Sequence, residues 1–249
     1  MVISGKIIEL YEYEKGYLKG YKDKTLTTGR QEDYQSENKD DNRQKAMQRA
    51  RTDIRRLINA NAYDFSKFLT LTFEKNETDL DYCNYEFKKF ILRLKYKYDD
   101  FKYLVVVEFQ KRGAVHYHML CNLPYIKSKE ISDIWGNGFI KINRIDRVSN
   151  LGAYVTKYLQ KDTTDPRLEK RKCYFTSRNL DKPIEITQKK EIEQLQTTLI
   201  RNLNPIFKTS YNNDYTGKVM YKQYNLETGS NVYSRTVIDD KNVFMADSD

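Results

Sequence analysis

The chain has only two histidines, His116 and His118, and they stand one residue apart. In a strand, residues two apart project to the same face, so both imidazoles share one side while Val115, Tyr117 and Met119 take the other. The apolar run just before them, YLVVVEF at 103–109, contains one charged residue, Glu108. A three-residue hairpin loop at 111–113, with Gly113 in the left-handed position, pairs Gln110 with Ala114 and therefore Glu108 with His116. Directly opposed residues share a face with Cβ atoms about 5 Å apart. A carboxylate and two imidazoles on one surface suit a divalent metal and leave positions open for substrate oxygens. Glu108, His116 and His118 are the candidate metal ligands.

Two plainer readings stay open. Paired histidines on a strand can be hydrogen-bonded surface residues, because a bare His-x-His is a weak motif. Glu108 weighs against that reading, since an unpaired carboxylate in a central strand is costly and needs a cation. A salt bridge to Lys or Arg would also meet that need.

The second constellation is GAYVTKYLQKD at 152–162, where Tyr154-x-x-Lys157 is followed at once by Tyr158-x-x-Lys161. At about 100° per residue these four side chains share one helix face, beside a stripe of Leu151, Val155 and Leu159. A phenol oxygen can act as a nucleophile through a covalent intermediate. Neighbouring ammonium groups neutralise phosphate charge and favour phenolate, so this face suits phosphoryl transfer. With 21 tyrosines in the chain, a pair four apart arises readily by chance. The lysine repeated at the third position after each tyrosine is harder to explain that way.

These residues need elements to position them. The first residues, with Ile8, Leu10, Tyr11 and Tyr13 interleaved with glutamates, predict a strand or hairpin, followed by a polar loop. Met47, Ala50, Ile54, Leu57 and Ile58 predict an amphipathic helix over 41–61, with arginines crowding its other face. A strand at 67–73, a helix at 78–98, a hairpin of 103–109 with 115–121 and a short helix at 128–135 follow. A strand at 139–145 and a helix at 149–161 complete the core. Beyond it the signals weaken to a helix at 187–203 and tyrosine-rich strands. The order predicts an α+β fold, a central mostly antiparallel sheet with flanking helices. The domain reading is an N-terminal strand and loop at 1–40, the domain that carries the chemistry at 41–185, and a C-terminal helix and strands at 186–249.

Lys plus Arg exceed Asp plus Glu by 44 to 35, a formal +9, which points to a polyanionic partner. No apolar run approaches the roughly 20 residues needed to span a bilayer, so no membrane partner is expected and a cytoplasmic location is. Cys83, Cys121 and Cys173 are odd in number and far apart, which fits neither a disulfide framework nor a thiolate zinc site. There is no GxxxxGK[ST] phosphate loop, so a fused helicase or ATPase is not expected.

FLTLTF (68–73), EFQKRGAVHYH (108–118) and YVTKYLQK (154–161) together resemble the three ordered motifs of the HUH endonucleases, particularly the tandem-tyrosine rolling-circle replication initiators of small phages and plasmids. The resemblance is clear over about 68–161 and only general in the flanks. It implies a ferredoxin-like nuclease fold, with Mg²⁺ or Mn²⁺ held by His116 and His118 and completed by Glu108. It further implies that Tyr154 or Tyr158 attacks a scissile phosphodiester, leaving a 5′-phosphotyrosine and a 3′-hydroxyl. Lys157 would place the phosphate or Tyr154, and Lys161 would do the same for Tyr158. The expected partners are single-stranded or origin hairpin DNA and, given the missing ATPase, a host helicase. The alternatives are a relaxase or single-strand transposase of the same superfamily, or a non-catalytic DNA-binding regulator. Thr70 and Thr72 share a strand face and could touch DNA or support the metal shell. Threonine is common inside strands for packing reasons, so both stay out of the catalytic set.

Overall fold

The apolar runs at 103–109 and 115–121 form adjacent antiparallel strands, β4 (Tyr103–Phe109) and β5 (Val115–Cys121). A computed structural model of the chain describes residues 1–16, 37–145, 151, 166–168, 171–213 and 216–227. It divides into two compact units, residues 22–184 and the combination of 1–21 with 185–249.

In the larger unit β4 and β5 join β3 (Lys67–Thr72), β6 (Ile140–Arg144) and β7 (Tyr174–Thr176) in the order β6-β3-β5-β4-β7, each neighbouring pair antiparallel. The histidine strand β5 is central, and all seven of its residues are buried. One sheet face, with Leu69, Leu71, Val105, Val107, Val115, Tyr117 and Met119, is covered by Cys83, Phe87, Phe90, Ile91 and Leu94 of helix α2 (Leu80–Lys97). Burying one such Phe or Leu contributes about 1.5–3 kcal/mol. Truncating Phe90 to Ala, with its added cavity, would cost about 3–5 kcal/mol. Asp79 caps α2 by accepting the backbone N–H of Asp81 and Tyr82, and Lys95 and Lys97 complement the dipole of its last turn. Short helix α3 (Ser128–Trp135) closes on Gly136, whose left-handed φ of 68° lets its N–H reach Ser132 O.

The opposite face is covered by helix α1 (Glu37–Ala60), whose Ile54 and Ile58 pack with Phe68, Leu104, Val106 and Leu120. Leu151, the described residue of the helix expected at 149–161, is helical and buried in that same cluster.

In the smaller unit β1 (Val2–Ser4), β2 (Ile7–Tyr13), β8 (Ile184–Glu185), β9 (Phe207–Asn213) and β10 (Gly217–Asn225) form a second sheet, ordered β8-β1-β2-β10-β9. Strand β2 pairs along its whole length with β10, from Tyr13 opposite Val219 to Ile7 opposite Asn225. The helix expected at 187–203 divides into α4 (Lys189–Leu195) and a π turn (Gln196–Ile200). Two adjacent threonines lie at this junction. The hydroxyls of Thr197 and Thr198 donate to the carbonyls of Glu193 and Gln194, competing with the helical ladder. Two sheets and four helices among the described residues make an α+β fold, as the pattern predicts.

Candidate functional site

The hairpin that sets the site forms as its sequence requires. Gln110 N–H donates to Ala114 O at 2.9 Å and Gly113 N–H to Gln110 O at 2.7 Å, with Gly113 at φ 92°. This places Glu108 opposite His116 and Val106 opposite His118. Arg167 pins the turn from outside, donating to Gly113 O at 2.9 Å while its guanidinium lies 3.7 Å from the centre of the Phe109 ring. Nothing in the sequence pattern singles out that arginine.

Both histidines lie on the α1 face of the sheet, each only 6% exposed, which removes the reading of them as solvated surface residues. The Glu108 carboxylate meets His118 Nε2 rather than its directly opposed partner, His116. A diagonal neighbour two residues along lies about 7–8 Å away across the sheet, within reach of a long side chain. The other ring nitrogen of His118, Nδ1, is 3.2 Å from Thr70 Oγ1 on β3, and Phe68 stacks on the ring at 5.9 Å. His118 is thus held on both edges and one face.

These contacts limit where its protons can lie. A carboxylate accepts, so a neutral His118 beside Glu108 carries its proton on Nε2 and takes the Thr70 hydroxyl proton at Nδ1. Turning the hydroxyl lets Thr70 accept from Nδ1–H instead, which leaves Nε2 with a lone pair. A threonine can pair with Nδ1 in either tautomer, whereas valine can pair with it in neither.

His116 differs. Its Nε2 is buried with no hydrogen-bond partner among the described residues. Burial holds its pKa below the usual histidine value, the charges of His118 and Arg112 push the same way, and Glu108 opposes. An imidazole kept neutral with an unmet buried nitrogen is in the state that a metal ligand requires.

The donor set of one carboxylate and two imidazoles therefore fits a divalent cation in its chemistry, and the orphaned His116 Nε2 is the observation that favours one. Among the described residues, however, no group of three His, Cys, Asp or Glu side chains is gathered as ligands around one point. Glu108 and His118 satisfy each other instead. A metal held by all three would require Glu108 to release His118.

Thr72 lies opposite His116, but its hydroxyl donates to Phe139 O at 2.8 Å and so ties β3 to the start of β6. Thr70 joins the site through His118, a role that strand pattern alone does not single out. Its alternation with Phe68 and Thr72 is legible in the sequence, but only strand register puts it opposite His118. The expected nucleophile face, Tyr154, Lys157, Tyr158 and Lys161, lies outside the described residues.

Residues 66–163 match the family model described as replication-associated protein, of the ORF2 and gene 2 protein type. This stretch runs from the start of β3 through both histidines and past Lys161, and the match supports a replication-associated role. No curated protein and no solved structure matches the chain. No helix among the described residues is long and apolar enough to cross a membrane.

Proposed function

We propose that the protein is a replication initiator that nicks single-stranded origin DNA through a tyrosine nucleophile and rejoins it when a round of rolling-circle synthesis ends. The observation that supports this most is the buried Glu108, His116 and His118 face, with its unmet His116 nitrogen, inside the stretch that matches the replication-associated family. In this reading Glu108, His116 and His118 hold a divalent ion, Mg²⁺ or Mn²⁺. When bound, it supplies positive charge that polarises a non-bridging phosphate oxygen.

The remaining steps belong to the chain's own side chains. Tyr154 or Tyr158 attacks phosphorus in line. The phenol gives up its proton to solvent and its oxygen forms the new bond to phosphorus, the 3′-oxygen leaves with the bonding pair and takes up a proton, and the products are a 5′-phosphotyrosine and a 3′-hydroxyl that primes synthesis. Lys157 and Lys161 hold the phosphate and lower the phenol pKa by their charge. The second tyrosine reverses the step to rejoin the strand. Thr70 fixes the ring of His118 throughout. Origin hairpin DNA, a host helicase and a cytoplasmic setting in a bacterial cell complete the proposal.

The deciding experiment incubates the protein with single-stranded origin DNA and Mn²⁺ and looks for a covalent adduct by denaturing gel electrophoresis. The proposal requires an adduct that disappears in the Tyr154→Phe/Tyr158→Phe double variant. Binding without any adduct would instead support a regulator that only binds DNA. Copy number of a plasmid carrying the gene then separates an initiator from a relaxase or transposase of similar chemistry.

A further inference from the structure

Helix α2 buries one face on the sheet, on the side opposite the histidines, and leaves an unusual outer face. Tyr82, Tyr85, Lys89, Leu92 and Tyr96 recur at positions i, i+3, i+7, i+10 and i+14, a single stripe about 21 Å long. All three tyrosines are exposed, Tyr85 by 61% and Tyr96 by 93%. At about 100° per residue, Lys88 and Lys95 flank one side of the stripe while Arg93 and Lys97 flank the other. From Lys88 to Lys97 the helix carries five cations and no acid. At its C-terminal end the stripe runs into a groove of about 680 Å³ against α3, where Arg93, Lys97, Lys127 and Lys129 outnumber Glu130 and Asp133.

Flat aromatic surfaces bordered on both sides by cations match one kind of partner well. Successive bases of a single strand stack on tyrosine without regard to sequence, and its phosphates meet the flanking charges. The heptad-like spacing could also form a helix seam with a second copy of the chain. That pairing would set Lys88, Lys95, Arg93 and Lys97 against their own counterparts, and like charges oppose it. A polyanion removes the repulsion.

We propose that the outer face of α2 and the α2–α3 groove bind single-stranded nucleic acid, with bases stacked on Tyr85 and Tyr96 and phosphates against Lys88, Arg93 and Lys95. The surface lies across the sheet from the histidines, so it would hold a strand that is not being cut. The inference goes beyond the nicking reading and survives its failure, because nothing in it depends on a metal or a nucleophile.

The test measures anisotropy of a fluorescein-labelled 20-nucleotide oligo-dT with the full chain in EDTA, where no cleavage occurs. Tyr85→Ala/Tyr96→Ala should raise Kd at least about tenfold, in line with the loss of base stacking. Tyr85→Phe/Tyr96→Phe keeps both rings and should stay within about twofold of wild type. Lys88→Gln/Lys95→Gln should flatten the salt dependence by about 1.4 in log–log slope, the value for two lost phosphate contacts on a single strand. An unchanged Kd in the double alanine variant overturns the proposal. So does a loss confined to phosphatidylserine vesicles, or a dimer-to-monomer change in sedimentation with DNA affinity intact. The alanine variant should still form the covalent adduct on a short origin oligonucleotide, while His116→Ala should lose the adduct and keep its oligo-dT affinity. The two readings therefore fail separately.

Discussion

Glu108 is paired across the sheet with His116, yet its carboxylate meets the ring of His118, one pair further along the same face. His118 is consequently satisfied at both nitrogens, by Glu108 and Thr70, while His116 Nε2 is buried without a partner among the described residues. A buried polar atom left unsatisfied costs about 1–3 kcal/mol. Something that binds His116 Nε2 would relieve that cost.

If that something is a divalent ion, Mn²⁺ must stabilise the folded chain. At a concentration one hundred times Kd the gain is about 2.7 kcal/mol, visible as a rise in Tm by differential scanning fluorimetry. Glu108→Gln and His116→Ala should each remove most of the rise. Equal rises in wild type and His116→Ala would show that Mn²⁺ binds elsewhere.

Thr70 provides a finer test, because it touches His118 without being one of the three donors. Thr70→Val keeps the shape and deletes the hydroxyl, so the His118 ring loses the hydrogen-bond partner that holds it at Nδ1. Metal affinity, read by isothermal titration calorimetry, should fall about 10–100-fold. Thr70→Ser restores the hydroxyl and should recover most of that loss. A merely structural role predicts a lower Tm in Thr70→Val with metal affinity unchanged.

The sheet around this site was readable from local pattern. The ends of β4, β5 and α3 coincide with the apolar runs that predict them, and Gly113 sets the register of Glu108 with His116. Long-range relationships were not readable. The diagonal reach of Glu108 to His118 depends on side-chain length and twist, and the Thr70 contact on pairing between strands 48 residues apart in sequence. The β2–β10 pairing joins the two ends of the chain, and no periodicity within either strand identifies the other. The π turn after α4 is hidden for another reason: apolar spacing over 187–203 reads as one helix and carries no signal of where the backbone pairing changes.

The end of β3 beside the site depends on a second glycine. Gly138 has φ 149°, and a methyl group there would lie 2.6 Å from Thr72 O and 2.8 Å from Phe73 C. Those atoms are backbone, held by Thr72 N–H donating to Phe139 O and by Trp135 Nε1 donating to Thr72 O at 3.0 Å. They cannot give way as a side chain would. Gly138→Ala should therefore cost about 3 kcal/mol or more, the upper range for overpacking. Trp135 is the single tryptophan and is fully buried, so its emission maximum follows unfolding in urea directly. A midpoint within error of wild type would show that this turn relaxes without cost.

The cysteines give a prediction about chemistry that the fold suppresses. Cys83, Cys121 and Cys173 are all buried and none is in a disulfide. Burial pushes the Cys83 thiol up to about 12, aided by the charges of Glu77 and Asp79. Burial likewise raises Cys121 to about 12, against a small opposing pull from the Leu123 backbone and Lys67. Against an ordinary value of 9.0, that leaves about a thousandfold less thiolate near neutral pH, and the thiolate is the reactive form. In native protein at pH 8 neither thiol should react with Ellman's reagent over minutes, whereas in 6–8 M urea all three cysteines should titrate at once. Raising the pH to 9 should leave Cys83 and Cys121 protected, because that pH is still well below their folded values. Rapid labelling of Cys121 under native conditions would mean that the central strand opens often, and the rigid placement of His116 and His118 on that strand would then have to be abandoned.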